Sequence, residues 1–85
     1  MKKIIELGES EGLETLLGER VTLFCVNYIY TGKLVGVDSV QAKLEEAAIV
    51  YETGELHTPQ WKDVQTLPHD WYVRLSAVES YGVLK

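Results

Sequence analysis

Residues 28–51, YIYTGKLVGVDSVQAKLEEAAIVY, decide the fold of this chain. The stretch is rich in β-branched and aromatic residues, and a tight turn at Asp38-Ser39 divides it, so it predicts two long antiparallel strands. Gly32 and Gly36 lie inside the first of these strands, where glycines mark bends or close backbone approaches. The stretch therefore predicts a strongly bent hairpin, as needed to close a small barrel.

The second strand of this hairpin changes its apolar face along its length. Ala42 and Leu44 share one parity, whereas Ala47 and Ile49 share the other. Because side chains alternate between the two faces of a strand, the switch requires one extra residue. We predict a β-bulge near Glu45–Ala48 that bends the hairpin further.

A short helix is predicted before the hairpin, over about residues 10–18. Ser10 is a suitable N-cap, and Gly18 suits the position after the helix end. The remaining strands are predicted from their β-branched and aromatic residues. Between the hairpin and the last two strands, about residues 53–68 are predicted to be an irregular loop or a short hairpin. These remaining strands are Val21–Val26, Trp71–Leu75 and Ala77–Tyr81.

The predicted fold class is all-β with one short N-terminal helix. We expect one domain over residues 1–85, in which residues of about 20–82 form a five-stranded, strongly bent, partly open barrel of the SH3-like kind. The last two strands are the candidate edges, and neither is well protected against pairing with another chain.

The size of the chain favours self-association. A domain of 85 residues has a marginal core and usually needs disulfides, a metal or oligomerisation. Cys25 is the only cysteine, and its spacing from His57 and His69 does not suit zinc. We therefore predict no cofactor and no metal, but a homo-oligomer that forms through the last two strands.

Composition also limits the function. The net charge is −5, with 13 acidic and 8 basic residues, so the overall field of the chain cannot hold nucleic acid, and any RNA must bind at a local site. No apolar stretch approaches the roughly 20 residues that span a bilayer. We expect a small acidic protein that is cytoplasmic and has no membrane partner. No acid, base and nucleophile are grouped by their spacing, so we expect no enzyme.

The hairpin resembles the first motif of the Sm and Sm-like family. That motif contains Gly-x-Leu, an apolar residue followed by Asp, a short loop, Met-Asn, and then alternating leucines and an acid. In this chain the loop is shorter, valine stands at the Met position and glutamine at the Asn position. The residues at the positions of the motif, including these two substitutions, are Gly32, Leu34, Val37, Asp38, Val40, Gln41, Leu44 and Glu46.

The second motif of the family is an apolar residue, Arg-Gly and a hydrophobic strand. It is similar to Val73-Arg74-Leu75-Ser76-Ala77-Val78, in which Leu75 replaces the glycine. The resemblance implies an Sm-like barrel in a homo-oligomeric ring that binds single-stranded RNA near its pore. It assigns RNA contact to the loops that carry Asp38, Val40, Gln41 and Arg74.

The roles of these residues follow from the resemblance and from their side-chain chemistry. Gln41 would read a base edge, because an amide both donates and accepts hydrogen bonds. Arg74 would stack on a base or contact a phosphate, and Asp38 would orient its own loop. A second interpretation is a structural or adaptor oligomer, in which the same barrel makes protein contacts and binds no RNA. A third is an OB-like domain that stacks single-stranded bases on Tyr28 and Tyr30, which share a strand face.

Overall fold

A computed structural model describes residues 12–85 as six β-strands and two single turns of 3-10 helix. The first 3-10 turn, Leu13–Leu16, precedes β1, and the second, Leu75–Ala77, joins β5 to β6. No helix in this part of the chain is long and apolar enough to cross a membrane. The strands are β1 (Arg20–Cys25), β2 (Ile29–Val37), β3 (Gln41–Glu52), β4 (Asp63–Thr66), β5 (Trp71–Arg74) and β6 (Val78–Gly82).

The strands form one antiparallel sheet that is not closed. Its order is β4-β3-β2-β1-β6, and β5 pairs with β3 off this path. Because β2 occupies one side of β3, β4 and β5 follow each other along the other side. The predicted all-β class is confirmed, and the sheet has β4 and β5 at one edge and β6 at the other.

The predicted β-bulge is present in β3. Lys33 pairs with Glu45, whereas Thr31 pairs with Ala48, so two residues of β3 lie opposite the single residue Gly32. Glu46, in the bulge, has a φ of 50°. This extra residue produces the predicted change of apolar parity and bends the hairpin.

The core lies on one face of the bent sheet. Leu23, Leu34 and Leu44 are fully buried, and Leu13 from the first 3-10 turn packs against the same cluster. Val73 adds a residue from β5. The core side chains of β3 and β5 thus alternate with neighbours that point to the opposite face, and those neighbours form the candidate site.

The helix predicted over residues 10–18 is not observed in the described part of that range. Leu13–Leu16 makes only one 3-10 turn, and the proposed N-cap Ser10 lies outside the described residues. Leu17 is extended, with φ −55° and ψ 130°, so the turn stops before Gly18. The Gly18 N–H then donates to the Leu34 carbonyl, which fixes the chain to β2 instead of continuing a helix.

The stretch predicted as a loop or a short hairpin, residues 53–68, is not irregular throughout, because it contains β4. Val64 of this strand pairs with Val50 of β3, and Thr66 pairs with Ala48. All four residues of β4 are exposed, so the strand lacks the buried face that an apolar pattern would reveal. The described chain therefore has six strands instead of five.

Candidate functional site

The β3–β5 ladder brings together two of the residues that the sequence proposed for RNA contact. Gln41, the first residue of β3, is the direct cross-strand partner of Arg74, the last residue of β5. Directly opposed residues of an antiparallel pair lie on the same face, about 4.5–5.5 Å apart at Cβ. Their neighbours Ala42 and Val73 are buried, so Gln41 and Arg74 point away from the core.

Two further residues of this face were not predicted from the sequence. Lys43 pairs with Tyr72 in the next position of the same face. The Lys43 ammonium lies 5.7 Å from the centroid of the Tyr72 ring and 3.7 Å from an Asp70 carboxylate oxygen. Tyr72 remains 54% exposed. An amide, an arginine, a lysine and an open aromatic ring thus form one surface, the Gln41–Arg74 surface (Gln41, Lys43, Tyr72 and Arg74).

The surroundings of Lys43 favour its charged form. The Tyr72 hydroxyl, and then the Asp70 carboxylate, raise the pKa of the Lys43 ammonium above its ordinary value. Among the described residues, no carboxylate forms an ion pair with Arg74, which is exposed. Within residues 12–85, the Arg74 guanidinium is thus open to an anion or to a planar ring.

The turn before β3 is held by Asp38. Its Oδ1 accepts hydrogen bonds from the backbone N–H groups of Val40 and Gln41, at 2.7 and 2.9 Å. The Val40 carbonyl in turn accepts from the Leu75 N–H at 2.9 Å, while the Val40 side chain is 53% exposed. Asp38 therefore orients its own loop, and Val40 connects that loop to the segment after Arg74.

These hydrogen bonds predict a pH-dependent contribution to stability. The Val40 and Gln41 N–H groups lower the pKa of the Asp38 carboxyl. Its contribution should therefore be complete above the ordinary aspartate pKa of about 3.9, and should disappear as the pH falls through the lower folded-state pKa. Urea unfolding of the wild type and of Asp38→Asn should show a stability difference that is constant near neutrality and shrinks in acid. A difference that does not change with pH would contradict this role.

A small cavity adjoins the surface. Its volume is about 160 Å³, well below the roughly 300–1,000 Å³ of pockets that enclose drug-sized ligands. Only part of a ligand, such as a base edge, can enter it. Gly36 pairs with Lys43, and its missing side chain keeps this side of the cavity open. The lining residues are Gly36, Val37, Asp38, Gln41, Lys43 and Tyr72.

A second aromatic surface lies at the other end of the sheet. The Tyr28 and Tyr30 rings meet edge to face with centroids 6.3 Å apart, and Tyr28 and Tyr51 are half-exposed. Burial, and then the charge of Cys25, raise the pKa of Tyr30. This surface has no lysine or arginine among its residues and therefore lacks a group for phosphate.

The described residues offer little for metal or nucleophilic chemistry. They contain no group of three or more His, Cys, Asp and Glu side chains that could hold a metal ion. Cys25 is partly buried beside the core. Its burial, and then the charge of Glu79, raise the pKa of the thiol, which disfavours the thiolate that a nucleophile requires.

Comparison with protein-family models and with characterised proteins gives no match to this chain.

Proposed function

We propose that this chain is an Sm-like module that forms a homo-oligomeric ring and binds single-stranded RNA through the Gln41–Arg74 surface. The observation that carries the proposal is the direct cross-strand pairing of Gln41 with Arg74. These residues lie in separate motifs of the sequence, and the family resemblance implies RNA contact for both. Their pairing supports a shared ligand.

The chemistry of the surface fits a single-stranded nucleic acid. The Gln41 amide can pair with a base edge, and the exposed Tyr72 ring offers a stacking platform, worth about 1–3 kcal/mol per base in other proteins. Arg74 and Lys43 provide positive charge for the phosphate groups of the RNA. The loop held by Asp38 and the adjoining cavity provide a fixed place in which the edge of one base can bind.

Assembly into a ring would overcome the acidic net charge. One subunit carries a net charge of −5, but a ring repeats Arg74 and Lys43 around one axis. The edges available for assembly are β4 and β5 on one side and β6 on the other, within the described residues. We assign the subunit contact to β5 of one copy and β6 of its neighbour. The pairing of these two strands would cover sheet edges that are open in the single chain.

RNA binding should be tested with labelled oligo-U and oligo-A by fluorescence anisotropy, from low to physiological salt. We expect binding that weakens with salt, with a slope of about −0.7 per neutralised phosphate. Light scattering on the same sample should give a mass several times that of one chain. A monomer would contradict the ring. If an assembled protein binds neither RNA at low salt, the adaptor function replaces the RNA-binding function.

A further inference from the structure

The loop between β3 and β4, residues 53–62, encloses the side-chain ammonium of Lys85. The Lys85 Nζ lies 3.0 Å from the Thr53 carbonyl oxygen, 2.7 Å from that of Glu55 and 2.8 Å from that of Gln60. An ammonium group has three N–H donors and no acceptor. A fourth oxygen, the Thr58 hydroxyl, lies farther away at 3.4 Å, so the three donors of Lys85 can be met by the three nearer carbonyl oxygens.

An aromatic ring completes this site. The Lys85 Nζ lies 4.5 Å from the centroid of the Trp61 ring, within the range of a favourable cation–π contact, and tryptophan is the strongest partner for it. Among the described residues, no carboxylate forms an ion pair with Lys85. The cation is therefore held by carbonyl dipoles and a ring face instead of by an opposite charge.

The loop is organised by contacts of its own. The Thr58 hydroxyl lies 2.9 Å from the Glu55 carbonyl oxygen and 3.2 Å from that of Gln60, so it can donate to either. The Thr53 hydroxyl donates to the Gly54 carbonyl at 2.9 Å. Gly54 has a φ of 67°, a conformation that glycine adopts without strain. Thr58 thus links the Glu55 and Gln60 carbonyl groups, two of the three acceptors of Lys85.

The loop also borders a cavity of about 560 Å³, within the size range of ligand pockets. This volume exceeds what one ammonium group occupies. Lys62 at its border pairs with Glu52 at 3.5 Å, and both side chains are largely exposed. The cavity is lined by Gly54, Thr58, Pro59, Gln60, Trp61 and Lys62.

We propose that loop residues 53–61 form a binding site for a primary alkylammonium group, the chemistry of a lysine side chain, and that Lys85 fills this site within its own chain. A primary ammonium places three donors around one point charge, whereas a guanidinium is planar and carries five. The convergent carbonyl oxygens fit the first arrangement. The site is separate from the Gln41–Arg74 surface and does not depend on RNA binding.

Occupancy by Lys85 also connects distant parts of the sheet. Gly82 of β6 pairs with Thr22 of β1, whereas the ammonium site lies in the loop between β3 and β4, so Lys85 connects the end of β6 to that loop. A residue tethered in this way acts at an effective concentration in the millimolar range. An external alkylammonium must therefore compete with Lys85, and its binding releases the segment that follows β6.

The first test observes the Lys85 ammonium directly by NMR of the nitrogen-15-labelled protein. We expect its Nζ protons to exchange slowly with water and to show couplings to the carbonyl carbons of Thr53, Glu55 and Gln60. Lys62, whose side chain is 69% exposed, is the internal control and should exchange rapidly. If Lys85 exchanges as rapidly as Lys62, it does not occupy the site and the proposal fails.

The second test empties the site and refills it. Lys85→Ala should shift the Trp61 indole resonance, and n-butylammonium should move it back toward the wild-type position. n-Butylguanidinium at the same concentration should not, and Lys85→Arg should resemble Lys85→Ala. The wild type, with its site filled, should respond only at much higher concentrations of the amine, which has to displace Lys85. No response of Lys85→Ala to n-butylammonium, or equal responses to both cations, would overturn the proposal. Core methyl resonances would verify that each variant is folded.

Discussion

Replacing Arg74 with alanine is expected to weaken the binding of single-stranded RNA by about tenfold to a hundredfold. Arg74 is exposed and is the cross-strand partner of Gln41, so its guanidinium can contact the same nucleotide as the Gln41 amide. A hydrogen bond to a charged group contributes about 1.5–3 kcal/mol, which corresponds to that loss of affinity. Anisotropy titrations with oligo-U at one fixed salt concentration would measure it.

Three further variants test whether the loss of RNA affinity is specific to the Arg74 guanidinium. Lys62→Ala removes the same charge near the opposite end of β3, where Lys62 pairs with Glu52, and should leave RNA affinity nearly unchanged. Arg74→Lys keeps the charge but loses the planar group, so it should restore only part of the affinity. Gln41→Ala should weaken binding and should not add fully to Arg74→Ala. Equal affinities of Arg74→Ala and the wild type would show that the site is wrongly assigned.

Replacing Gly32 with alanine is expected to lower the free energy of unfolding by about 1–3 kcal/mol, the range for over-packing a filled interior. A Cβ atom at this position would lie 3.0 Å from the Glu45 carbonyl oxygen, 3.0 Å from the Leu44 Cβ and 3.1 Å from the Ala47 Cα. Two of these three atoms belong to the backbone of the bulge, which cannot move without changing the bend. Urea unfolding monitored by circular dichroism would measure the loss.

Gly36 provides the matched control, because it lies on the same strand. A Cβ atom there would meet only the Lys43 Cβ, at an ordinary 3.6 Å. We expect Gly36→Ala to change stability by no more than about 0.5 kcal/mol, as substitutions that leave no close contact commonly do. Similar losses for Gly32→Ala and Gly36→Ala would contradict the role assigned to the bulge. Because Gly36 lines the cavity, its substitution should instead affect RNA binding.

The bent hairpin could be predicted from the sequence because strand side chains alternate with a period of two. Any break in that alternation, such as the one between Leu44 and Ala47, reveals an inserted residue. The strand β4 escaped prediction because all four of its residues are exposed, and they carry no alternation. The predicted helix failed at Leu17, where extended backbone geometry connects the turn to β1.

The candidate site could be predicted only in part. Gln41 and Arg74 came from the family resemblance, and their pairing required the structure. Lys43 and Tyr72 could have been inferred, because each lies two residues from one of that pair and so shares its face. The Lys85 site had no comparable signal. Its acceptors are backbone carbonyl oxygens, which every residue possesses, so only the path of the loop distinguishes them.

The most direct test of the proposed RNA site is photo-crosslinking of the protein to an oligonucleotide that contains 4-thiouridine, followed by mass spectrometry of the crosslinked peptides. The proposal predicts a crosslink within Trp71–Arg74, at Tyr72 in particular, because that ring is open to solvent beside Gln41 and Arg74. A crosslink confined to Tyr28, Tyr30 or Tyr51, or no crosslink at low salt, would contradict it.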